Sequence, residues 1–254
     1  MGVKRNNLLG PNDAKPVLLL NAQGRSPFLL TGDHAGRAIP QALGTLGLGR
    51  DDLARHIAWD IGVRGLGERL SAMLDATFIH QPYSRLVIDC NRDSISEEAI
   101  PARVDGTDIP ANLALSDAQR AARIAEIYGP YHAAIDQLID QRSAAGLPTI
   151  LLALHSFTPK LGDEARSWDI GILHDGANDR FAKSLLGALQ ASASLITGDN
   201  QPYQMDATDY SVPAHAFTRT LPYAEIEVRQ DLLADESSHA RWATILAEAL
   251  RQAL

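Results

Sequence analysis

The sequence predicts an α/β domain in which helices cover both faces of a central sheet. Short apolar runs with the length of buried strands alternate with longer stretches of helical period. This alternation is typical of a sheet that is covered on both faces. With 254 residues, of which 45% are hydrophobic and 21% charged, the chain is large enough for a sizeable core. Because no linker rich in Gly, Ser or Pro interrupts the pattern, we expect a single domain over residues 1–254.

The predicted strands are apolar runs of four to seven residues. They lie at residues 16–21, 27–31, 76–80, 85–90, 149–155, 170–173 and 224–228. Two polar segments between them, residues 91–112 and 197–220, are rich in Asp and Pro and are predicted to be surface loops. Loops of this length in a compact domain are usually functional.

Helical period predicts four helices, and local residues mark some of their ends. The predicted helices cover residues 51–74, 116–145, 178–191 and 235–254. Asp51 is a suitable N-cap for the first helix. Ser116 and Gln119 have the spacing of a capping box at the start of the second. Pro130 should kink that second helix or split it in two.

Charge and cysteine content exclude several classes of protein. The 23 Lys and Arg against 31 Asp and Glu give a net charge of −8, which disfavours nucleic-acid binding because phosphate contacts need a basic face. The single cysteine, Cys90, excludes an internal disulfide and a Cys-rich zinc module. No apolar run reaches the ~18–20 residues of a membrane span. Residues 1–13 lack the apolar stretch of a signal peptide and are expected to be loosely ordered. We therefore expect a cytoplasmic protein with neither nucleic-acid nor membrane partners.

Two histidines at strand ends are the best candidates for metal ligands. In open α/β sheets the ligand site lies beyond the carboxyl ends of the strands. His34 follows one predicted strand, and His155 closes another. A neutral imidazole binds a metal there when its second nitrogen is held by a carbonyl or a carboxylate. Alternatively, each histidine is a hydrogen-bonded structural residue. His174 also ends a strand but ranks below these two.

Asp60 is the candidate for a third ligand. Catalytic zinc commonly takes three protein ligands and leaves one position open for water. Asp60 lies on the apolar stripe of the first predicted helix, three residues after Ile57 and next to Ile61. A carboxylate on that stripe is costly unless it is paired or bound to a metal. The alternative is a buried ion pair or a cap on a neighbouring loop.

Glu227 is the candidate for a general base. It lies within an apolar strand and shares one face with Glu225 and Arg229. A half-buried glutamate can have a raised pKa and accept a proton from water. The alternative is an exposed edge strand on which these three charges pair with one another.

Arg85, Asn91 and Arg92 flank one predicted strand and suit an anionic substrate. The planar fork of arginine matches a carboxylate in bidentate fashion. The alternative for either arginine is a salt bridge to one of the many acidic residues. Ser156 follows His155 but lacks the G-x-S-x-G context of a nucleophile elbow. The chain also lacks the glycine-rich motifs of dinucleotide and P-loop sites.

Six segments, in the same order along the chain, resemble the N-formylglutamate amidohydrolase family. They are TGDHAG at 31–36 with Ile39 and Pro40, HIAWDIG at 56–62, YSRLVIDCNR at 83–92, LHSF at 154–157, WDIGIL at 168–173 and EIEVRQD at 225–231. Each segment alone is weak, but six in order are specific. The resemblance spans residues 31–231.

The resemblance implies a fold and a metal site. The family looks related to zinc carboxypeptidases and aspartoacylases, which implies a three-layer α/β/α architecture with a mixed central sheet, phosphorylase/hydrolase-like. In those relatives a His-x-x-Glu pair and a later histidine bind zinc. His34 and His155 match the two histidines. The position of the glutamate is occupied by Arg37, so Asp60 is expected to supply the carboxylate. Another divalent metal, such as Fe, Co or Mn, also fits a His/carboxylate set.

The resemblance also implies roles for the remaining candidates. Glu227 resembles the strand-borne glutamate that acts as general base, and Asn91 with Arg92 resembles the pair that holds the substrate carboxylate. Ser156 is expected beside them as a third substrate-binding residue. Arg85 is expected to stabilise the oxyanion.

The implied reaction is hydrolysis of an N-formyl or N-acyl amino acid, and the partner is a small carboxylate. Two alternatives stay open: a carboxypeptidase-like hydrolase of another amide, and a non-catalytic binding protein for a small carboxylate metabolite. A homo-oligomer also remains open, because Trp242 suits either a core or an interface.

Overall fold

The computed structural model describes residues 7–176 and 178–254, and the strands in this part of the chain are short. In chain order they are β1 (Leu18–Leu20), β2 (Phe28–Gly32), β3 (Thr77–His80), β4 (Arg103–Val104), β5 (Thr107–Asp108), β6 (Ile150–Phe157), β7 (Lys160–Leu161), β8 (Glu164–Ala165), β9 (Ile170–Leu173), β10 (Thr197–Asp199) and β11 (Tyr223–Arg229). β4 pairs with β5 and β7 pairs with β8 in two separate hairpins, and the other strands form one sheet.

The α-helices of the described residues vary from one turn to almost five. They are α1 (Arg50–Ala54), α2 (Val63–Leu74), α3 (Asp117–Arg123), α4 (Gly129–Ala144), α5 (Arg180–Gln190), α6 (Ser211–His215) and α7 (Glu236–Gln252). None of the helices in residues 7–176 and 178–254 is both long and apolar enough to cross a bilayer.

The main sheet is mixed, as the resemblance implies. Its strand order is β1-β3-β2-β6-β11-β9-β10. β2 runs parallel to β3 and β6, and β11 runs parallel to β6. β1 is antiparallel to β3, and β9 is antiparallel to β11. The carboxyl ends of β2, β6 and β11 therefore meet at one edge near the centre of the sheet.

Alternate residues of the central strands pack against opposite helical layers. Leu30, Leu152 and Ile226 belong to the core beneath α2, α5 and α7. Leu29 and Leu151 belong to the core beneath α4 and α6. The predicted three-layer α/β/α architecture is therefore confirmed. Trp242 is only 2% exposed and packs within the first of these cores, so its burial is explained inside a single chain.

Residues 85–90 do not form the predicted strand. The apolar side chains of Leu86 and Val87 are buried, but the backbone turns at this point. Side chains satisfy carbonyl groups that a neighbouring strand would otherwise bind. Asn112 Nδ2 donates to the carbonyl of Leu86 at 2.9 Å, and the buried Arg123 donates through Nη1 to that of Val87 at 2.8 Å. An apolar run can thus be buried without entering a sheet.

The first predicted helix, over residues 51–74, is wrong in its middle. α1 ends at Ala54 and α2 begins at Val63, with an irregular segment over residues 55–62 between them. Gly62 has φ = 87°, a left-handed conformation that breaks the helix. The residue before α1 is Gly49, so Asp51 is not the N-cap.

The second predicted helix forms with the expected start. Ser116 and Gln119 make the capping box. Pro130 neither splits the segment nor lies inside a regular helix. It is in the first turn of α4, directly after a π-helical turn over Ile124–Tyr128. Proline is tolerated there because its missing N–H is not needed for the regular α-helical ladder.

The segments predicted as loops carry short regular elements. Residues 91–112 contain the β4–β5 hairpin, and residues 197–220 contain β10 and α6. The expectation of a loosely ordered start does not hold for residues 7–13. Leu8 is buried, and the backbone N–H groups of Leu8 and Leu9 each donate to the carboxylate of Glu126 at 2.9 Å. Residues 1–6 lie outside the described part of the chain.

Candidate active site

Three chain segments meet at the carboxyl edge of the sheet. His34 lies two residues beyond β2, and His155 lies near the end of β6. Asp60 was predicted to lie on a helix, but it lies in the irregular segment between α1 and α2. Its backbone N–H donates to the carbonyl of His34 at 2.9 Å, which fixes this segment against the end of β2.

The two histidines approach the same carboxylate through the same ring atom. His34 Nδ1 lies 3.5 Å from Asp60 Oδ2, and His155 Nδ1 lies 2.9 Å from that oxygen. The ring centroids are 5.1 Å apart, and all three side chains are buried. One ligand atom from each residue falls within 4.8 Å of the other two, so the group can hold a metal ion.

The opposite nitrogen of each ring faces a further carboxylate. His34 Nε2 lies 2.7 Å from Asp89 Oδ1, and His155 Nε2 lies 3.9 Å from Asp33 Oδ2. Asp33 is itself held by the hydroxyl of Tyr131, which donates to Oδ1 at 2.6 Å. A carboxylate behind a histidine fixes the tautomer and the ring orientation of metal-binding imidazoles.

The donor set fits a divalent metal. His34 Nδ1 is buried and has no hydrogen-bond partner in the described part of the chain, although Asp89 already engages Nε2. Burial by itself raises the pKa of Asp60, but the charge of His34 and the hydrogen bond from His155 bring it below its usual value. The carboxylate is therefore ionised and ready to bind a cation. Two imidazoles and one carboxylate are a common zinc set.

Two glutamates of β11 line the same site. The register of the parallel pair places Glu227 opposite His155. Because β11 lies between β6 and β9, Glu227 is 6% exposed, and the alternative of an exposed edge strand is wrong. Burial raises the pKa of Glu227 well above its usual value and that of Glu225 to about 7. Oε2 of each has no hydrogen-bond partner among the described residues.

Arg85 is held at the site by two carboxylates. Its Nη2 and Nε lie 2.7 and 3.1 Å from Asp89 Oδ2, and its Nη1 lies 3.5 Å from Asp60 Oδ1. Asp89 thus links Arg85 to His34. Asp89 lies in the segment 83–92, but no pattern along the chain marks it as a functional residue. Its place beside a metal-ligand candidate depends on the turn that replaces the predicted strand.

The three predicted substrate-binding residues lie near this group but are partly engaged. Asn91 Oδ1 accepts the backbone N–H groups of Tyr210 and Ser211 at 3.1 and 2.9 Å. Arg92 Nη1 donates to the carbonyl of Asn91 at 3.0 Å. Ser156 Oγ donates to a backbone carbonyl of the segment 55–62 at 2.9 Å. Asn91 Nδ2 also donates to Asp209 Oδ1 at 3.4 Å, and Arg92 Nη1 lies 3.4 Å from the same oxygen.

These residues enclose a cavity of about 440 Å³, which we call the first cavity. It is lined by both candidate histidines, by Asn91 and Ser156, by guanidinium groups and by several carboxyl groups. The guanidinium groups belong to Arg85 and Arg92, and the carboxyl groups to Asp60, Asp206, Asp209, Glu225 and Glu227. The cavity thus presents acidic and basic side chains together, beside the candidate metal ligands.

Comparison with known proteins identifies a family and similar solved structures. The family model for N-formylglutamate amidohydrolase matches residues 26–234. A solved structure of the gene product Atu2144 from Agrobacterium tumefaciens is 38% identical, with a TM-score of 0.94 over 97% of this chain and 98% of that chain. An N-formylglutamate amidohydrolase from Ralstonia eutropha JMP134 is 19% identical, with a TM-score of 0.73 over 94% of this chain and 97% of that chain. At that identity the second likeness shows the fold alone. A search of curated proteins gives no match.

The fold and the family match define an amide-hydrolysing enzyme of the α/β class. The chain belongs to the N-formylglutamate amidohydrolase family. The resemblance seen in six sequence segments is thereby confirmed, and all six lie within the matched range.

Proposed function

We propose that this enzyme hydrolyses the amide bond of an N-formyl or N-acyl amino acid, an N-formylglutamate-like substrate, with the help of a divalent metal. The observation that carries the proposal is the buried group of His34, Asp60 and His155, which opens into the first cavity opposite Glu227. The family match supports amide hydrolysis, and the Ralstonia structure carries the name of an enzyme that acts on N-formylglutamate.

Zinc is the metal we propose, held by His34, Asp60 and His155. Imidazole and carboxylate also accept Fe, Co or Mn, so the metal in the cell depends on availability as well as on geometry. When bound, the metal supplies Lewis-acid polarisation of the amide carbonyl and increases the acidity of water. Asp89 holds the imidazole of His34 in the orientation that binding requires.

Glu227 is the proposed general base. Its Oε2 is buried without a hydrogen-bond partner among the described residues, and its pKa is raised because it is desolvated. A carboxylate in this state has a high affinity for a proton. Glu227 would accept a proton from the attacking water and later donate it to the leaving nitrogen.

Arg85 is proposed to stabilise negative charge on the carbonyl oxygen. Asp89 fixes its guanidinium group through Nε and Nη2, so that little reorganisation is needed during the reaction. Donors that are held in place in this way stabilise developing charge more effectively than water does.

Asn91, Arg92 and Ser156 are proposed to hold the substrate carboxylate. All three line the first cavity, and Arg92 supplies the positive charge. Because Asp209 Oδ1 lies 3.4 Å from Arg92 Nη1, the substrate must compete with a carboxylate of the protein. Carboxylate binding is therefore expected to be weak without the metal.

The proposed binding partner is then a small carboxylate. The compartment we propose is the cytoplasm, where the buried thiol of Cys90 stays reduced. Neither a nucleic-acid nor a membrane partner is needed for this chemistry. A homo-oligomer remains a prediction without a surface assigned to it. The carboxypeptidase-like alternative shares the metal site and differs in substrate alone.

The metal content of the protein and the activities of two glutamate variants test the proposal. The wild type should contain close to one equivalent of zinc by elemental analysis, and His34→Ala and His155→Ala should lose it. Glu227→Gln should keep the metal but lose about 10²–10⁴-fold in kcat. Glu225→Gln is the matched variant on the same strand face and should lose much less. Near-normal turnover of Glu227→Gln would end the base assignment. Substrate binding by a protein that takes up no metal would favour the non-catalytic alternative.

A further inference from the structure

Three acidic side chains of the first cavity have no part in the proposed reaction. They are Asp206, Asp209 and Glu225. The guanidinium groups in the lining belong to Arg85, assigned to the carbonyl oxygen, and to Arg92, assigned to the substrate carboxylate. Of the described residues, no further arginine and no lysine lines this cavity. A second carboxylate on the substrate, such as the side chain of glutamate, would therefore face carboxyl groups without a cation of its own.

Glu225 presents an unsatisfied hydrogen-bond acceptor to the cavity. It is 3% exposed, and its Oε2 has no hydrogen-bond partner in the described part of the chain. A buried acceptor without a donor is costly, so the contents of the cavity have to supply the donor. Whether the carboxyl group is ionised or protonated, one of its oxygens can accept a hydrogen bond. A ligand with a donor at this position is therefore favoured over a ligand with a second carboxylate.

The wall beside Glu225 is apolar. The antiparallel register of β9 and β11 places Leu173 opposite Glu225, and both line the cavity together with Pro202. The backbone next to this proline packs directly on β9, because a Cβ at Gly171 would collide with the carbonyl oxygen of Gln201. A group with an aliphatic stem and a polar tip matches a wall of this kind. Its stem can contact Leu173 while its tip reaches the carboxyl group of Glu225.

Asp209 lies where the side chain of a bound amino acid would begin. Its Oδ1 is 3.4 Å from Asn91 Nδ2 and 3.4 Å from Arg92 Nη1, the two residues proposed to hold the α-carboxylate. Its Oδ2 accepts the backbone N–H of Asp206 at 3.0 Å. The α-carboxylate and the side chain of an amino acid leave the same carbon atom, so the side chain starts close to Asp209. When Arg92 pairs with the substrate, Asp209 loses part of its own pairing and can accept a hydrogen bond from the ligand.

From these contacts we infer that the amino-acid part of the substrate has an aliphatic side chain that ends in N–H donors, an ammonium or a carboxamide group, and that Glu225 and Asp209 accept its hydrogen bonds. The inference rests on the proposed function, because it uses the roles given there to Arg85 and Arg92. It narrows the substrate class from N-formyl or N-acyl amino acids in general to those with a donor side chain. Glutamate fits this subsite less well, because its second carboxylate would face the two carboxyl groups.

A series of side chains tests this inference. The substrates are N-formyl-lysine, N-formylglutamine, N-formylnorleucine and N-formylglutamate, assayed with the metal-loaded enzyme. The wild-type kcat/KM for lysine and glutamine should exceed that for norleucine, and should exceed that for glutamate by about tenfold or more. Glu225→Gln keeps the size of the side chain, removes the carboxylate and adds a donor. It should shift the ratio of kcat/KM for lysine to that for glutamate by about tenfold towards glutamate.

Glu98→Gln is the matched control. Glu98 Oε2 lies 3.5 Å from Arg92 Nε, but Glu98 does not line the first cavity. This variant removes the same charge close to Arg92 without changing the proposed subsite, and the ratio should stay within about twofold of the wild type. A shift as large as that of Glu225→Gln would overturn the inference, because overall charge would then explain the selectivity.

Binding measurements separate this inference from the proposed function. Calorimetric titration of the same four compounds into Glu227→Gln reports affinity without turnover. If the lysine and glutamine compounds bind more tightly than the glutamate compound while the wild type hydrolyses none of them, the donor subsite stands and the proposed reaction falls. If N-formylglutamate binds best and is hydrolysed best, the donor subsite is overturned and the proposed reaction stands. If none of the four binds or reacts, both fall.

Discussion

Replacing Asp89 by asparagine tests whether the carboxylate behind His34 contributes to metal binding. Asp89 Oδ1 lies 2.7 Å from His34 Nε2, and Oδ2 accepts two hydrogen bonds from Arg85. Oδ1 also accepts the backbone N–H of Asn91 at 2.8 Å. Asparagine keeps the size and one acceptor but removes the negative charge. His34 then loses the group that fixes its tautomer and increases the basicity of Nδ1.

Loss of such a carboxylate typically lowers metal affinity 10–100-fold, which corresponds to about 1.4–2.7 kcal/mol. The free energy of unfolding should also fall, because Arg85 loses its closest carboxylate. Breaking a fully buried pair costs about 3–5 kcal/mol, but the Arg85 side chain is 27% exposed and keeps Asp60 at 3.5 Å. We therefore expect a loss of stability of about 1–3 kcal/mol.

The assay is competition for zinc against a fluorescent chelator, with chemical denaturation of the same samples. Asp169→Asn is the matched control. Asp169 pairs with Arg229 at 3.4 Å and accepts the N–H of Ile196 at 2.9 Å, and it does not line the first cavity. The control should keep wild-type zinc affinity. A folded Asp89→Asn protein with wild-type zinc affinity would refute the role given to this carboxylate.

Two further changes probe the support of the site and the stability of the fold. In Gly171→Ala the new Cβ would meet the backbone carbonyl of Gln201, so we expect the free energy of unfolding to fall by about 1–3 kcal/mol and kcat/KM to fall with it. Gly187 in α5 has open space around it, so Gly187→Ala should raise the free energy of unfolding by about 0.5–1 kcal/mol. Equal unfolding midpoints for the two variants would contradict this. The Asp235 side chain accepts the N–H of Ser238 at the start of α7, and this bond and others lower its pKa to about 2. The stabilisation that this cap contributes is fully present above the unfolded-state pKa of about 4 and is lost as pH falls through about 2. Asp235→Asn should therefore reduce the pH dependence of the free energy of unfolding between these two values. The same pH dependence in the variant and the wild type would argue against this role of Asp235.

Much of the fold could be predicted from the sequence because its signals are local. Six of the seven predicted strands form, since each is a short apolar run that lies in the sheet. The capping box of Ser116 and Gln119 forms because both partners lie within one turn. The exception at residues 85–90 shows the limit of this approach. Its apolar side chains are buried as expected. The side chains of Asn112 and Arg123, which are distant in sequence, donate hydrogen bonds to its carbonyl groups, so these groups do not need a neighbouring strand as partner.

The candidate site was predictable to a similar degree. His34, Asp60 and His155 were chosen from strand ends and from a polar residue on an apolar stripe, and the structure brings all three together. The reason given for Asp60 was wrong, since it lies on an irregular segment and not on a helix. Asp89 and Asp33 were not assigned, because a carboxylate behind an imidazole leaves no pattern along the chain.

The sequence by itself determined which stretches become strands and helices, and it placed histidines and glutamates where strands end. These features depend on periodicity and on neighbours within a few residues. Only the tertiary structure decided that β11 lies between β6 and β9, which buries Glu227 and brings it opposite His155. Only the tertiary structure turned Asp89 towards His34. Strand order and the burial of charge arise from contacts between distant segments, and no local pattern encodes them.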